Sequence, residues 1–179
     1  MNLQETRLSG ETKYEGHILT MQVDTVELPD GATATREVVR HPGGVCIAAL
    51  TDRQELLFVR QFRYPYSQVL WELPAGKLSP GEDPTLCAMR ELKEETGAVA
   101  ASLKKLGVLY PSVGYTDEVL HLFVATDLTF GECCPDEDEF LEVEYIPLCD
   151  AVRMVEEGKL PDAKTQALVL RVARIVENT

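Results

Sequence analysis

Polar and apolar positions alternate with a period near two along much of the chain, and the period lengthens to helical spacing in three places. Residues 17–28 (HILTMQVDTVEL) alternate as a strand does, Pro29-Asp30-Gly31 reads as a turn, and residues 33–39 (TATREVV) return, which predicts an N-terminal hairpin. His41-Pro42-Gly43-Gly44 then interrupts the pattern. The expected organisation is a small N-terminal β hairpin or sheet over residues 1–41 and a main domain over residues 42–179. An isolated hairpin is marginally stable, so this piece is expected to pack on the main domain or on a second subunit.

Beyond the break, residues 45–50 (VCIAAL) form an apolar run suited to a buried strand, and residues 55–62 and 69–73 predict two more. Further strands are expected at residues 103–110, 118–126 and 140–146. Helices are expected at residues 84–96, 149–158 and 162–177. For the first helix, Asp83 suits the N-cap, Pro84 the first turn, and Gly97 the left-handed residue just past the end. Within it Leu86, Met89, Leu92 and Lys93 fall at helical spacing and are expected to face the core, with Glu91, Glu94 and Glu95 on the other side. Strands interleaved with helices predict an α/β layered domain.

Composition narrows the function. The 179 residues are 45% hydrophobic and 26% charged, ordinary for a packed domain of this length. Thirty acidic residues against 17 basic ones leave a formal net charge of −13, which speaks against nucleic acid or an anionic membrane as partner. An anionic substrate would then need a bound cation and local arginines. The five cysteines show no CxxC spacing, so a disulfide framework or zinc site is not expected and a reducing, cytoplasmic setting fits. The first residues lack the apolar core of a signal peptide, and no run is long enough to span a membrane.

The chemistry-bearing stretch is residues 76–98, GKLSPGEDPTLCAMRELKEETGA. Glu91 and Glu95 lie one helical turn apart, and three carboxylates crowd the end of a helix whose dipole already disfavours negative charge there. Clustered carboxylate oxygens are what hard divalent cations such as Mg²⁺ bind. The order Gly76, five residues, Glu82, seven residues, Arg90-Glu91, an aliphatic residue, any residue, Glu94-Glu95, any residue, Gly97 resembles the Nudix box. Ala98 departs from the bulkier aliphatic residue usual at that position.

The resemblance implies the Nudix fold, an α/β/α sandwich around a mixed sheet, here with a small N-terminal antiparallel β-sheet. It implies hydrolysis of a nucleoside diphosphate linked to another group, using Mg²⁺ or Mn²⁺, two to three ions per site, and a metal-activated water. Carried onto this chain, it gives Glu91, Glu95 and the carbonyl of Ala75 as metal ligands, with Glu94 close by. Glu82 either ligates a metal or pairs with Arg90, and Arg90 orients the glutamates. The general base is implied to lie on a late acidic loop, at Glu139 or else Glu137.

Outside the box, residues 59–63 (VRQFR), 71–76 (WELPAG), 35–42 (TREVVRHP) and 162–165 (DAKT) are similar to the ADP-ribose (ADP-sugar) pyrophosphatase branch. On that basis Arg40, Arg63 and Arg36 are implied phosphate or ribose contacts, Glu72 a ribose or metal-water contact, and Glu118 a residue near the metals. The same likeness implies a homodimer acting on a nucleotide-sugar, with AMP and a sugar phosphate as products. That branch usually carries proline sixteen residues past Gly97, where this chain has Val113, with Pro111 two positions earlier. Other substrates, such as GDP-mannose or a dinucleotide, therefore stay open, as does a non-catalytic domain that senses nucleotides.

Overall fold

The computed structural model describes residues 2–134 and 140–178. Its contacts divide the chain into two units, residues 1–43 with 110–119, and residues 44–109 with 120–179.

In the first unit three antiparallel strands, β1 (Thr6–Glu15), β2 (Thr20–Glu27) and β3 (Thr33–Arg40), form a sheet in that order. The expected hairpin is the β2–β3 pair, closed by a turn in which Gly31 takes φ 85° and Asp30 accepts a hydrogen bond from the Ala32 amide at 3.0 Å. β1 is an addition to that expectation. All ten of its residues are exposed, so it carries no apolar alternation to announce it. Residues 110–119 join this unit, with the Val39 amide donating to the Tyr115 carbonyl at 2.7 Å.

The second unit holds β4 (Gly44–Ala49), β5 (Glu55–Arg63), β6 (Gln68–Glu72), β7 (Ala75–Lys77), α1 (Pro84–Thr96), β8 (Ala98–Leu109), β9 (Leu120–Phe130), β10 (Leu141–Pro147), α2 (Leu148–Glu156) and α3 (Ala163–Glu177). One sheet runs β7-β4-β9-β8 and the other β10-β5-β6. β4 and β9 pair in parallel and the other pairs are antiparallel, so the larger sheet is mixed.

Side-chain alternation along β4 gives this unit two cores. Val45, Ile47 and Ala49 point, with Phe123 and Ala125 of β9, to the side where α1 contributes Cys87, Ala88 and Leu92. Cys46 and Ala48 point the other way, toward Leu148 and Ala151 of α2 and Leu168, Val169 and Val172 of α3. Helices therefore cover both faces, as an α/β/α sandwich requires.

The expected orientation of α1 is corrected. Leu86 and Met89 are 62% and 48% exposed, while Glu91 and Glu95 are buried, at 8% and 2% exposure, on the same face as Ala88 and Leu92. The phase follows from Cys87, Ala88 and Leu92, small and aliphatic residues that fit closely under the sheet. Lys93, counted with the apolar stripe on spacing, is exposed. β8 also starts at Ala98, five residues before the expected strand, directly after the helix.

Candidate active site

The site is built where β7 meets α1. Asp83 caps the helix by accepting from the amides of Thr85 and Leu86 at 2.8 and 3.3 Å, and Pro84 occupies the first turn. Gly97 adopts φ 69° and its amide donates to the Lys93 carbonyl at 2.8 Å, which ends the helix. These two caps fix which residues of α1 turn toward β7.

Gly76 leaves the space beside β7 to the Glu91 carboxylate, which a side chain at this position would have to displace. A Cβ built on Gly76 would lie 1.8 Å from the carboxyl carbon of Glu91. One residue earlier, the Ala75 amide donates to Glu95 Oε2 at 3.0 Å. Two buried carboxylates, one turn apart, are thus held against the backbone of Ala75 and Gly76 by helix phase on one side and strand position on the other.

Arg90 ties the remaining acids together. Its Nε and Nη2 donate to the two oxygens of Glu82 at 3.0 and 3.1 Å, and its Nη1 reaches Glu94 at 2.9 Å and Glu91 at 2.8 Å. The hydrogen bonds from Arg90, helped by the Ser79 amide, hold the Glu82 carboxyl down at about 2. The Arg90 pKa is raised in turn, chiefly by Glu82. Glu82 is therefore ion-paired with Arg90.

Three glutamates, Glu82, Glu91 and Glu94, share one guanidinium, and Glu95 is buried one turn from Glu91, so carboxylate charge exceeds that of the arginine. Among the described residues, no group of three or more His, Cys, Asp or Glu side chains is arranged to hold a metal ion. The donor set still fits a hard divalent ion, because it offers carboxylate and backbone carbonyl oxygens and no soft ligand. Glu91, Glu95 and the Ala75 carbonyl are the groups that would hold it.

On the α3 side of the same unit, Glu72 (2% exposed) is gripped by Arg63 through Nε at 2.5 Å and Nη2 at 2.8 Å, and by Lys164 Nζ at 2.5 Å. Burial alone would push the Glu72 carboxyl up, but the bonds from Arg63 and the charge of Lys164 outweigh it and bring it down to about 2. Burial likewise works against the Lys164 ammonium, and Glu72 and Asp162 more than offset it, so its pKa is raised. Arg63 and Glu72, expected as substrate contacts, here hold each other. The next residue donates its amide to Thr165, from Leu73 N to Oγ1 at 2.9 Å, between two fully buried residues.

Arg36, Arg40 and Glu118 belong to the first unit. Arg40 donates to Gln22 at 3.0 Å and to Asp117 at 3.1 Å, and lies 3.5 Å from the buried Asp24. Arg36 pairs with Glu5, and Glu118 lies 3.5 Å from Nδ1 of His41. Glu137 and Glu139 lie outside the described residues. Sequence reasoning assigned no role to Lys164 or Thr165. Their signal was present, since Asp162-Ala163-Lys164-Thr165 carries an N-cap residue, and Asp162 accepts from the Thr165 amide at 3.0 Å.

The NUDIX domain family matches residues 40–168, and the nucleoside diphosphate sugar hydrolase N-terminal domain family matches residues 5–39. An ADP-ribose pyrophosphatase of Bacillus subtilis (strain 168) is 43% identical over 166 residues, covering 92% of this chain and 90% of its own length. A methanol dehydrogenase activator of Bacillus methanolicus is 40% identical over 164 residues, covering 90% and 89%. A crystal structure of an ADP compounds hydrolase superposes with a TM-score of 0.87 over 99% of this chain and 97% of its own, at 24% identity, which bears on the fold alone. The family that generally uses divalent metal ions on diphosphates is the one whose glutamate helix lies here against Ala75 and Gly76, and the chain belongs to it, as a Nudix pyrophosphatase.

Proposed function

We propose that this protein hydrolyses the diphosphate bond of ADP-ribose or a similar nucleotide-sugar, giving AMP and a sugar phosphate. The observation that carries the reading is the buried pair Glu91 and Glu95, held against the Ala75–Gly76 backbone. Glu91, Glu95 and the Ala75 carbonyl would hold Mg²⁺ or Mn²⁺, two to three ions per site, with Glu94 beside them and Glu82 and Arg90 keeping the glutamates in place. Bound ions of this kind neutralise phosphate charge and lower the pKa of a coordinated water. In the hydrolysis, a water oxygen bonds to phosphorus, the bridging P–O bond breaks, and Glu139, or else Glu137, accepts the water's proton. Arg40, Arg63 and Arg36 are read as phosphate or ribose contacts, Glu72 as a contact to a ribose hydroxyl or a metal-bound water, and Glu118 as a residue near the metals.

Residues 1–41 are read as the dimerisation and base-pocket piece and residues 42–179 as the hydrolase domain of a homodimer. The wholly exposed β1 supports a subunit contact there. Five free cysteines support a cytoplasmic setting, and among the described residues no helix is long and apolar enough to cross a membrane. ADP-ribose is favoured by the Bacillus subtilis relative.

The test is turnover of ADP-ribose, ADP-glucose, GDP-mannose, NADH and a nucleoside triphosphate with Mg²⁺ or Mn²⁺, reading AMP or GMP. Release of AMP from ADP-ribose is expected. GMP from GDP-mannose as the main product would move the protein to that substrate, and no turnover with either ion would leave a sensing role.

A further inference from the structure

Four successive residues, Glu72 to Ala75, are each tethered at a polar atom, Glu72 through its side-chain carboxylate and the other three through the backbone, by groups of α3, β5, β4 and α1. Glu72 is bound by Lys164 and Arg63, and the Leu73 amide by Thr165. The Pro74 carbonyl accepts from the Ile47 amide at 2.8 Å, and the Ala75 amide donates to Glu95 at 3.0 Å. Three residues of chain span at most about 10 Å, so this segment has little slack in which to absorb a shift at its Glu72 end. Pro74 stiffens it further by fixing its own φ.

Two of these tethers come from the start of α3, 92 residues away in sequence. They are polar contacts in a place where apolar packing would serve stability as well. A buried ion pair such as Lys164–Glu72 adds little net stability over a well-packed apolar pair, so its stronger consequence is geometric. The Thr165 hydroxyl likewise aligns one backbone amide, and the backbone of Thr165 is itself held by its amide donating to Asp162 at 3.0 Å.

We propose that Lys164 and Thr165 are positioning residues for the metal-binding edge: they set the Glu72–Leu73 backbone, and through it the Ala75 carbonyl and the Glu95 carboxylate. The inference rests on the reading of Ala75, Glu91 and Glu95 as metal ligands. Residues that orient ligands in this indirect way typically cost about 10–100-fold in metal affinity or activity when altered.

The deciding experiment is Mn²⁺ titration of the full chain followed by electron paramagnetic resonance, without substrate, on Thr165→Val, Thr165→Ser, Lys164→Met and Glu95→Gln. Kinetics with the preferred nucleotide-sugar and thermal unfolding accompany it. Thr165→Val and Lys164→Met are expected to bind Mn²⁺ about tenfold more weakly and to lose kcat with KM little changed, while Thr165→Ser retains wild-type binding. If Thr165→Val and Lys164→Met only lower the melting temperature, with Mn²⁺ binding and kcat at wild-type values, positioning is overturned. Should Thr165→Val not fold, Lys164→Met decides by the same two readings. Wild-type Mn²⁺ binding by Glu95→Gln would overturn the ligand reading itself, and with it this one. Loss of binding in Glu95→Gln alone overturns only the role of Lys164 and Thr165.

Discussion

The carboxyl carbon of Glu91 lies 1.8 Å from the point where a Cβ on Gly76 would stand. The glycine is there to let α1 lay a carboxylate onto strand β7. Gly76→Ala forces the Glu91 carboxylate, the end of a flexible side chain, to swing away, which should cost little stability but moves the carboxylate from its place. The displaced ligand should cost at least about tenfold in turnover. Urea denaturation and steady-state kinetics on the variant check both; wild-type kcat would mean the close approach has no bearing on the site.

Glu95→Gln keeps an oxygen to accept the Ala75 amide and removes the charge. The fold should persist while turnover falls by about 10³-fold, the equivalent of several kcal/mol of lost charge stabilisation. Circular dichroism and product release measure the two halves of this expectation. A variant that turns over like wild type would end the assignment of Glu95 to the metal.

Glu72 gives the protein a dependence on acid that can be isolated. Its carboxyl is held at about 2, below the ordinary value of 4.5, so the ionised form is preferred in the folded chain. The stabilisation it contributes is therefore present above about pH 4.5 and is lost as the pH falls toward 2. Wild type should exceed Glu72→Gln in unfolding free energy above pH 5 by about 3 kcal/mol, with the gap closing between 4.5 and 2. Denaturant titrations from pH 3 to 7 follow it, and a gap that stays constant down to pH 3 would contradict the ion cluster.

Glu139→Gln is expected to slow hydrolysis by about 10²–10⁴-fold, as for loss of a general base, and to leave Mn²⁺ binding unchanged. Unchanged turnover would pass the role to Glu137, for which the same substitution and the same two measurements apply.

Apart from the three-residue β7, the elements of the second unit are legible in local pattern, because Asp83, Pro84 and Gly97 each carry a backbone requirement and because VCIAAL has no polar face. β1 was not legible, since no residue in it is buried. The face of α1 was misread for a related reason. Counting Leu86 and Met89 as core assumes that burial follows hydrophobicity, whereas Glu91 and Glu95 are buried because β7 lies over them and gives Glu95 an amide partner.

Helical spacing alone places Glu91 beside Glu95 whatever surrounds them, and the ligand candidates and the family came from the likeness of the gapped motif to the Nudix box. Tertiary structure decided the rest: that Glu82 pairs with Arg90, that Arg63 and Lys164 both close on Glu72, and that Thr165 reaches Leu73 across 92 residues. Periodicity describes a residue relative to its own element. Those pairings depend on where β5, β6 and α3 come to rest on a shared core, and only packing determines that.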